Sequence, residues 1–124
     1  MVFDILIHER HLPQAIEFVS RHLRQRFVLD HIGKPAIADH RLEPWRTNIA
    51  RLAERESVTC KVSGMVTEAS TPRRLIFGSD WPDCLVASSY SRRVEVVRGW
   101  VRRLSAPEQE RVLGATAIEA YQLG

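Results

Sequence analysis

The 124 residues suffice for one domain with a modest core, and 44% apolar with 27% charged residues are typical of a globular chain rather than a disordered one. The 18 basic and 15 acidic residues are interspersed and leave a net charge of +3, so nucleic acid is not an expected partner. Cys60 and Cys84 form no C-x-x-C pair, so zinc-knuckle and thioredoxin-like sites are unsupported. The low cysteine content favours a reduced, cytoplasmic chain in which both thiols are small buried hydrophobic groups.

Four short apolar runs predict β-strands, because each is rich in β-branched or aromatic residues and ends in polar residues or glycine. Their near-continuous apolar character is typical of parallel strands buried on both faces. The first run, in MVFDILIHERH, is too short for a signal peptide or a membrane span, so no membrane is expected as a partner. The predicted strands are Val2–Ile7, Phe27–Ile32, Val58–Val62 and Leu75–Phe77.

Apolar residues that recur every three or four positions predict helices between and after these strands. The stripes are Leu12, Ile16, Val19 and Leu23; then Trp45, Ile49 and Leu52 behind Pro44 as a first helical residue; then Tyr90, Val94, Val97, Val101 and Leu104. Ser105 and Glu108 match a capping box that opens a last helix toward Tyr121. Alternating strands and helices predict a parallel α/β sheet. Tyr90 and Val97 should be buried against this sheet. The pairs Arg92-Arg93 and Arg102-Arg103 should lie on a solvated face of their helix.

One connection is too short for this pattern. Between Val62 and Leu75 stand only the residues SGMVTEASTPRR, which carry no apolar stripe. A parallel crossover normally takes a dozen or more residues and usually contains a helix, so a helix is predicted to be missing after Met65. Either the chain crosses in an extended form, or the last strand pairs elsewhere.

Polar residues follow three of the four predicted strands. They are Asp30, His31 and Lys34 after the second, Lys61 and Ser63 at the end of the third, and Asp80 after the fourth. Ligands of parallel α/β folds bind at the carboxyl ends of the strands, so these residues are predicted to meet at one rim with Asp80 as a catalytic carboxylate.

Each of these residues also has a plainer interpretation. Asp80 could instead cap a turn or the next helix. His31 could be a core histidine, and in a regular strand Asp30 and His31 would point to opposite faces, so only one would reach the rim. Lys61 is costly to bury unpaired, and it could snorkel to water or pair with Asp80 or Glu68.

The HERH sequence is not a zinc motif. His8 and His11 are three residues apart, one short of the i, i+4 face of H-E-x-x-H, so structural or exposed histidines are expected.

Several motifs in one order carry a resemblance. FVLDHIGKP, PWRTNIARLAERESVTCKVSGMVTEA, RLIFGSDWPDCLVASSY and LGATAIEAYQL together resemble the amidohydrolase 2 family, closest to its sugar-lactonase branch, over nearly the whole chain. The resemblance implies an α/β fold, a partial TIM-like (β/α) barrel with about four parallel strands and flanking helices. It also implies a hydrolase that acts on a small-molecule lactone or carboxylated substrate.

The resemblance carries roles to individual residues. His31 matches the family's histidine in L-D-H-x-G-K-P, a metal ligand in metal-dependent relatives and a substrate contact in metal-free ones. Asp80 matches the aspartate of G-S-D-W-P, the general base, which is also a ligand where a metal is present. The site would thus hold one divalent ion such as zinc on His31 and Asp80, or none. The implied substrate contacts are Lys34, Lys61, Ser63 and Trp81.

The chain also departs from the family. It has no H-x-H pair in its first strand, and a full barrel needs about 250 residues, roughly twice this length. Residues 1–124 are therefore expected to be one domain, the C-terminal half of a barrel with an internal deletion.

Three hypotheses follow: a lactonase-type hydrolase, a non-catalytic remnant, or a half-barrel module that needs a partner chain or self-association to cover its open sheet edges.

Overall fold

A computed structural model describes residues 1–36, 39–63, 72–86 and 88–124. The helix predicted to be missing after Met65, and Glu68 as a partner of Lys61, lie outside the described residues. The strands are β1 (Val2–Ile5), β2 (Arg26–Leu29), β3 (Val58–Val62) and β4 (Leu75–Phe77). The helices are α1 (Leu12–Arg21), α2 (Trp45–Ala53), α3 (Tyr90–Val101), α4 (Ala106–Glu110) and α5 (Thr116–Tyr121), with a π-helical turn, Arg111–Ala115, between the last two.

The strands form one sheet in which hydrogen-bonded neighbours follow the order β1-β2-β3-β4. β1 and β2 pair in parallel with Phe3 opposite Phe27, and β2 and β3 pair in parallel with Leu29 opposite Cys60. The predicted α/β class is confirmed, and so are the bounds of the third and fourth strands. The alternative that the last strand pairs away from the third is wrong, because Gly78 N donates to the Val62 carbonyl at 3.1 Å.

The chain divides into two compact units, Met1–Cys60 and Lys61–Gly124. The first unit contains β1, α1, β2 and α2, with the paired part of β3. Its core is built from the inward residues of the strands and helices, which include Leu12, Val19, Phe27, Leu29 and Leu52. The second unit contains the end of β3, β4 and the helices α3 to α5. That the whole chain acts as a single domain stays a prediction.

Two helices of the first unit follow their predicted stripes with local differences. In α1, Leu12, Ile16 and Val19 are buried, but the helix ends at Arg21 and Leu23 lies beyond it, 69% exposed. Leu23 therefore does not continue the stripe, since only residues within the helix keep its period. Pro44 precedes α2 as its N-cap residue rather than being its first helical residue.

The long helix α3 of the second unit corrects two predictions. Val97 and Val101 are buried as expected, but Tyr90 is 49% exposed because it stands at the first position of the helix. Arg93 is not part of a solvated face: it is half-buried, and its Nη1 donates to the Ser63 carbonyl at 3.0 Å. Arg92, in contrast, is exposed.

The last helical segment begins as predicted. Ser105 and Glu108 form the capping box, in which the Ser105 N–H donates to the Glu108 carboxylate at 3.0 Å. The helical run then continues to Tyr121 through the π-helical turn, whose Val112 is buried.

Candidate functional site at the strand ends

His31 lies in a tight turn, Asp30–Gly33, directly after β2. The strand ends at Leu29, three residues earlier than the sequence predicts, so neither Asp30 nor His31 belongs to a strand. The argument that the two must point to opposite faces therefore does not apply. His31 and Ile32 both have left-handed backbone angles, with φ of 52° and 53°.

A β-branched residue such as Ile32 rarely adopts this conformation, because its Cβ substituents crowd the backbone. The turn persists because its surroundings fix it. Trp45 Nε1 donates to the Ile32 carbonyl at 2.7 Å in a buried hydrogen bond. Gly33, with φ of 69°, lies so close to α1 that a Cβ there would stand 3.2 Å from Leu12 Cδ2. Strained backbone of this kind is concentrated at functional sites, which favours a functional role for His31.

The same turn shapes the environment of Cys60 on β3. The pKa of the Cys60 thiol is raised to about 12, mainly by burial; a hydrogen bond with the Ile32 backbone opposes this rise and the nearby Asp30 carboxylate adds to it. The thiol therefore stays protonated at neutral pH and is a poor nucleophile. Cys84 is fully buried, as predicted for a small hydrophobe.

Lys61 and Ser63 stand at the end of β3, in the second unit, next to Gly78. Ser63 is buried, and Lys61 is half-buried. A Cβ placed on Gly78 would stand 2.8 Å from Lys61 Cγ and 3.5 Å from Ser63 Oγ. The aliphatic stem of Lys61 therefore lies directly across the Gly78 backbone, at the point where β4 has ended.

Asp80 follows β4 in a second left-handed turn, with φ of 58°. Aspartate is one of the few residues other than glycine that tolerate this conformation. The turn closes through one main-chain hydrogen bond, from Cys84 N to the Asp80 carbonyl at 2.7 Å, and one to a side chain, from Trp81 N to Ser79 Oγ at 3.3 Å. Asp80 is half-buried, whereas Trp81 is 67% exposed.

The structure thus distributes the predicted site residues over both units. His31 and Lys34 share the turn of the first unit, where Lys34 is exposed and also left-handed, with φ of 47°. Lys61 and Ser63 lie together in the second unit, which also carries Asp80 and Trp81.

Three contacts beside the candidate residues were missed in the sequence: those of Trp45 with the Ile32 carbonyl, of Gly78 with Lys61, and of Arg93 with the Ser63 carbonyl. A signal existed for Arg93. It stands four residues before Val97 and eight before Val101, which places it on the buried face of a 3.6-residue period. For Gly78 the sequence carried only the general preference of strand ends for glycine.

The donor set of the described residues does not fit a metal centre. Across the ranges 1–36, 39–63, 72–86 and 88–124, no group of three or more histidine, cysteine, aspartate or glutamate side chains could hold an ion. His8 and His11 are both exposed, as expected, and their ring centroids are 6.4 Å apart. His31 and Asp80, the two ligands that the resemblance implies, fall short of the three or four that zinc sites use.

Comparison with known proteins gives a consistent result. A family model described as amidohydrolase matches residues 1–123. An L-fucono-1,5-lactonase of Burkholderia multivorans is 40% identical over 98% of this chain and 51% of its own length. An L-fucono-1,5-lactonase of Burkholderia ambifaria is 33% identical over 99% of this chain and 50% of its own length. The chain therefore spans about half the length of the curated relatives it matches.

A solved structure agrees with these matches. The crystal structure of an amidohydrolase from Burkholderia multivorans with bound zinc superposes with a TM-score of 0.91 and 39% identity, covering 99% of this chain and 53% of that one. The alignment to the B. multivorans lactonase spans 152 residues, more than the 124 of this chain, so the relative carries residues inside the matched region that are missing here. This difference in length agrees with an internal deletion, whose place before β4 stays a prediction.

None of the helices in the described ranges is long and apolar enough to cross a membrane.

Proposed function

The chain belongs to the amidohydrolase family, and on that premise we propose that it provides part of a hydrolase site that opens a sugar lactone or a related cyclic ester. The observation that carries the proposal is Asp80, held in a left-handed turn directly after β4 in a chain 40% identical to an L-fucono-1,5-lactonase. A cytoplasmic location belongs to the same proposal, since it rests on the cysteine content alone.

Asp80 acts in this proposal as the general base. Its carboxylate takes a proton from a water molecule, whose oxygen forms a bond to the lactone carbonyl carbon. Negative charge collects on the carbonyl oxygen, and the ring C–O bond then breaks. The proton held by Asp80 passes to the leaving ring oxygen, which becomes the hydroxyl group of the product. The new carboxyl group keeps the second proton of the water molecule and then releases it to solvent.

The other predicted residues bind and orient the substrate. His31 donates a hydrogen bond that orients or polarises the lactone carbonyl. Lys34, Lys61 and Ser63 bind the hydroxyl groups and the developing charge, and the exposed indole of Trp81 covers an apolar face of the sugar ring. No metal is needed for any of these steps, and none is assigned to His31 and Asp80.

A second candidate function is a half-barrel module that binds a partner. It is favoured by the aromatic cluster of Phe3, Phe18 and Phe27 in the first unit, in which Phe3 lies 5.9 Å from Phe18 and 6.1 Å from Phe27 between ring centroids. Phe3 on the edge strand β1 is 51% exposed, and Phe18 is 41% exposed. Exposed aromatic groups beside an unpaired strand edge are typical of a surface that another polypeptide covers, either a second copy or a separate chain.

One experiment separates the enzyme, the module and the remnant. L-Fucono-1,5-lactone hydrolysis is measured for the purified chain alone, and again after mixing with the half of the B. multivorans lactonase that this chain does not match. Turnover by the chain alone supports the enzyme, and turnover only in the mixture supports the module. Absence of turnover in both supports a non-catalytic remnant and overturns the proposed reaction.

The Asp80→Asn variant tests the general base in whichever preparation is active. We expect kcat to fall by about 10²- to 10⁴-fold, because asparagine cannot accept the proton from water. Asparagine also tolerates the left-handed turn, so the melting temperature should change little. An unchanged kcat would remove Asp80 from the mechanism.

A further inference from the structure

Gly78 is packed against Lys61 in a way that no other residue type would allow. A Cβ on Gly78 would stand 2.8 Å from Lys61 Cγ and 2.9 Å from Lys61 Cδ. Carbon atoms in favourable contact are about 3.5–4.0 Å apart, so a methyl group at this position overlaps the lysine stem. The backbone of Gly78 does not itself require glycine, since its φ lies outside the left-handed region. Glycine is required at position 78 because a side chain there would overlap the stem of Lys61.

We propose that Gly78 is a positioning residue for Lys61, and that Lys61 stabilises the negative charge that develops on the lactone carbonyl oxygen. The inference rests on the proposed function. Without a Cβ at Gly78, the Lys61 stem crosses the end of β4. Asp80 follows only two residues later, and because consecutive Cα atoms are 3.8 Å apart, its Cα lies within about 7.6 Å of that of Gly78.

The charge of Lys61 complements the role of Asp80. When water attacks the carbonyl carbon, the electron pair of the C=O bond moves onto the oxygen, and an ammonium group held beside it lowers the energy of that state. Fixed cationic or N–H donors at a developing oxyanion are among the largest contributions to catalysis. A lysine whose stem is already packed loses little further conformational freedom when the substrate binds.

The surrounding backbone is fixed, so an added methyl group must displace Lys61 rather than the strands. Gly78 N donates to the Val62 carbonyl at 3.1 Å, which ties the end of β4 to β3. The carbonyl of Ser63, the residue directly after β3, accepts from Arg93 Nη1 at 3.0 Å. With both strand ends held by hydrogen bonds, the lysine side chain is the part that can move.

Four variants test this arrangement: Gly78→Ala, Lys61→Ala, the double variant, and Gly99→Ala as a matched control. A Cβ on Gly99 meets no atom within 4 Å, so its variant makes the same chemical change without a clash. Lysine-to-alanine removes Cγ and Cδ, the two atoms that the added methyl would strike. The clash is therefore absent from the double variant.

Kinetics with L-fucono-1,5-lactone, in the preparation that is active, give the first measurement. We expect Lys61→Ala to lower kcat by about 10²-fold, as removal of an oxyanion donor does elsewhere, and Gly78→Ala to lower kcat by about tenfold or more. KM should change by less than about threefold in both variants, because the lost interaction is made in the transition state. The double variant should match Lys61→Ala, and Gly99→Ala should match the wild type.

Melting temperatures of the same proteins give the second measurement. Gly78→Ala should lower the melting temperature in the wild-type background and leave it unchanged in the Lys61→Ala background. A purely structural role of Gly78 would instead lower stability and kcat by the same amount in both backgrounds.

The outcomes distinguish this inference from the proposed function. Full kcat in Gly78→Ala, or an equal loss of kcat in both backgrounds, would overturn the positioning role. A wild-type preparation without lactone turnover would overturn the proposed reaction and the charge-stabilising role of Lys61 with it. The melting temperatures would then still decide whether Gly78 and Lys61 are packed as described.

Discussion

The two units hold their candidate catalytic residues in the same backbone conformation but support them differently. His31 follows β2 in the first unit and Asp80 follows β4 in the second, and both are left-handed, with φ of 52° and 58°. The first turn is supported from within the core, by the buried hydrogen bond from Trp45 Nε1 and by Leu12 packed under Gly33. Near the second, the backbone is held by polar contacts such as that of Arg93 with Ser63.

This difference teaches that the backbone beside a candidate site can be held either by apolar packing with a buried hydrogen bond or by polar side-chain contacts. Apolar packing and a buried hydrogen bond stabilise the fold more in a dry core than contacts that water reaches, because a buried polar group left without a hydrogen bond is costly. Arg93 is only half-buried as a residue, so its hydrogen bond to the Ser63 carbonyl contributes less than a bond in the dry core. The first turn should therefore depend more on its supporting residues than the second.

The largest effect is expected from Leu12→Ala. Leu12 is fully buried and contacts the backbone of Gly33, so its truncation leaves a cavity under the His31 turn. Unfolding by urea should show a loss of about 2–5 kcal/mol in the free energy of unfolding. Leu23→Ala, the same change at a residue that is 69% exposed, serves as the control and should lie close to the wild type.

Trp45→Phe should have the next largest effect. The substitution keeps an aromatic ring but removes the N–H that satisfies the buried Ile32 carbonyl, at an expected cost of about 1–3 kcal/mol in stability. Trp100→Phe, at a half-buried position on α3, is the matched change. Equal losses in the two variants would contradict the special role of the Trp45 hydrogen bond.

Arg93→Met should cost less, about 1 kcal/mol, because methionine keeps much of the apolar stem and loses only the hydrogen bond to the Ser63 carbonyl. The control is Arg92→Met, since Arg92 is its exposed neighbour on the same helix. If Arg93→Met destabilised the chain more than Trp45→Phe, the contrast between the two kinds of support would be reversed.

Ser105→Ala should have the smallest effect, and that effect should depend on pH. Hydrogen bonds from the Ser105 side chain, and then from its backbone, lower the pKa of Glu108 below its usual 4.5. A lowered carboxyl pKa stabilises the folded chain above pH 4.5, and this contribution is lost as the pH falls through the folded-state pKa. The difference in melting temperature between variant and wild type should thus be visible at pH 7 and shrink progressively below pH 4.5. A difference that stayed constant with pH would show that the Glu108 carboxylate is not involved.

The secondary structure could be predicted from local patterns because burial and periodicity are properties of short segments. Val58–Val62 and Leu75–Phe77 were strands with the predicted bounds, and the Ser105 capping box opened the last helix. Predictions failed where the chain leaves a regular element. Leu23 and Tyr90 both fitted an apolar stripe by their spacing. Leu23 lies beyond the end of α1 and Tyr90 is the first residue of α3, and at these positions the helical period no longer decides burial.

The sequence by itself determined the family, the α/β class and the residue types available for chemistry, because these depend on the order of motifs along the chain. Only the tertiary structure decided which residues hold the turns. The left-handed angles of His31 and Asp80, the hydrogen bond from Trp45 and the space that Gly78 leaves for Lys61 all arise from groups brought together in the folded chain. Such contacts depend on how elements pack, and no local pattern encodes the distance between the Gly78 backbone and the stem of Lys61, 17 residues earlier in the chain.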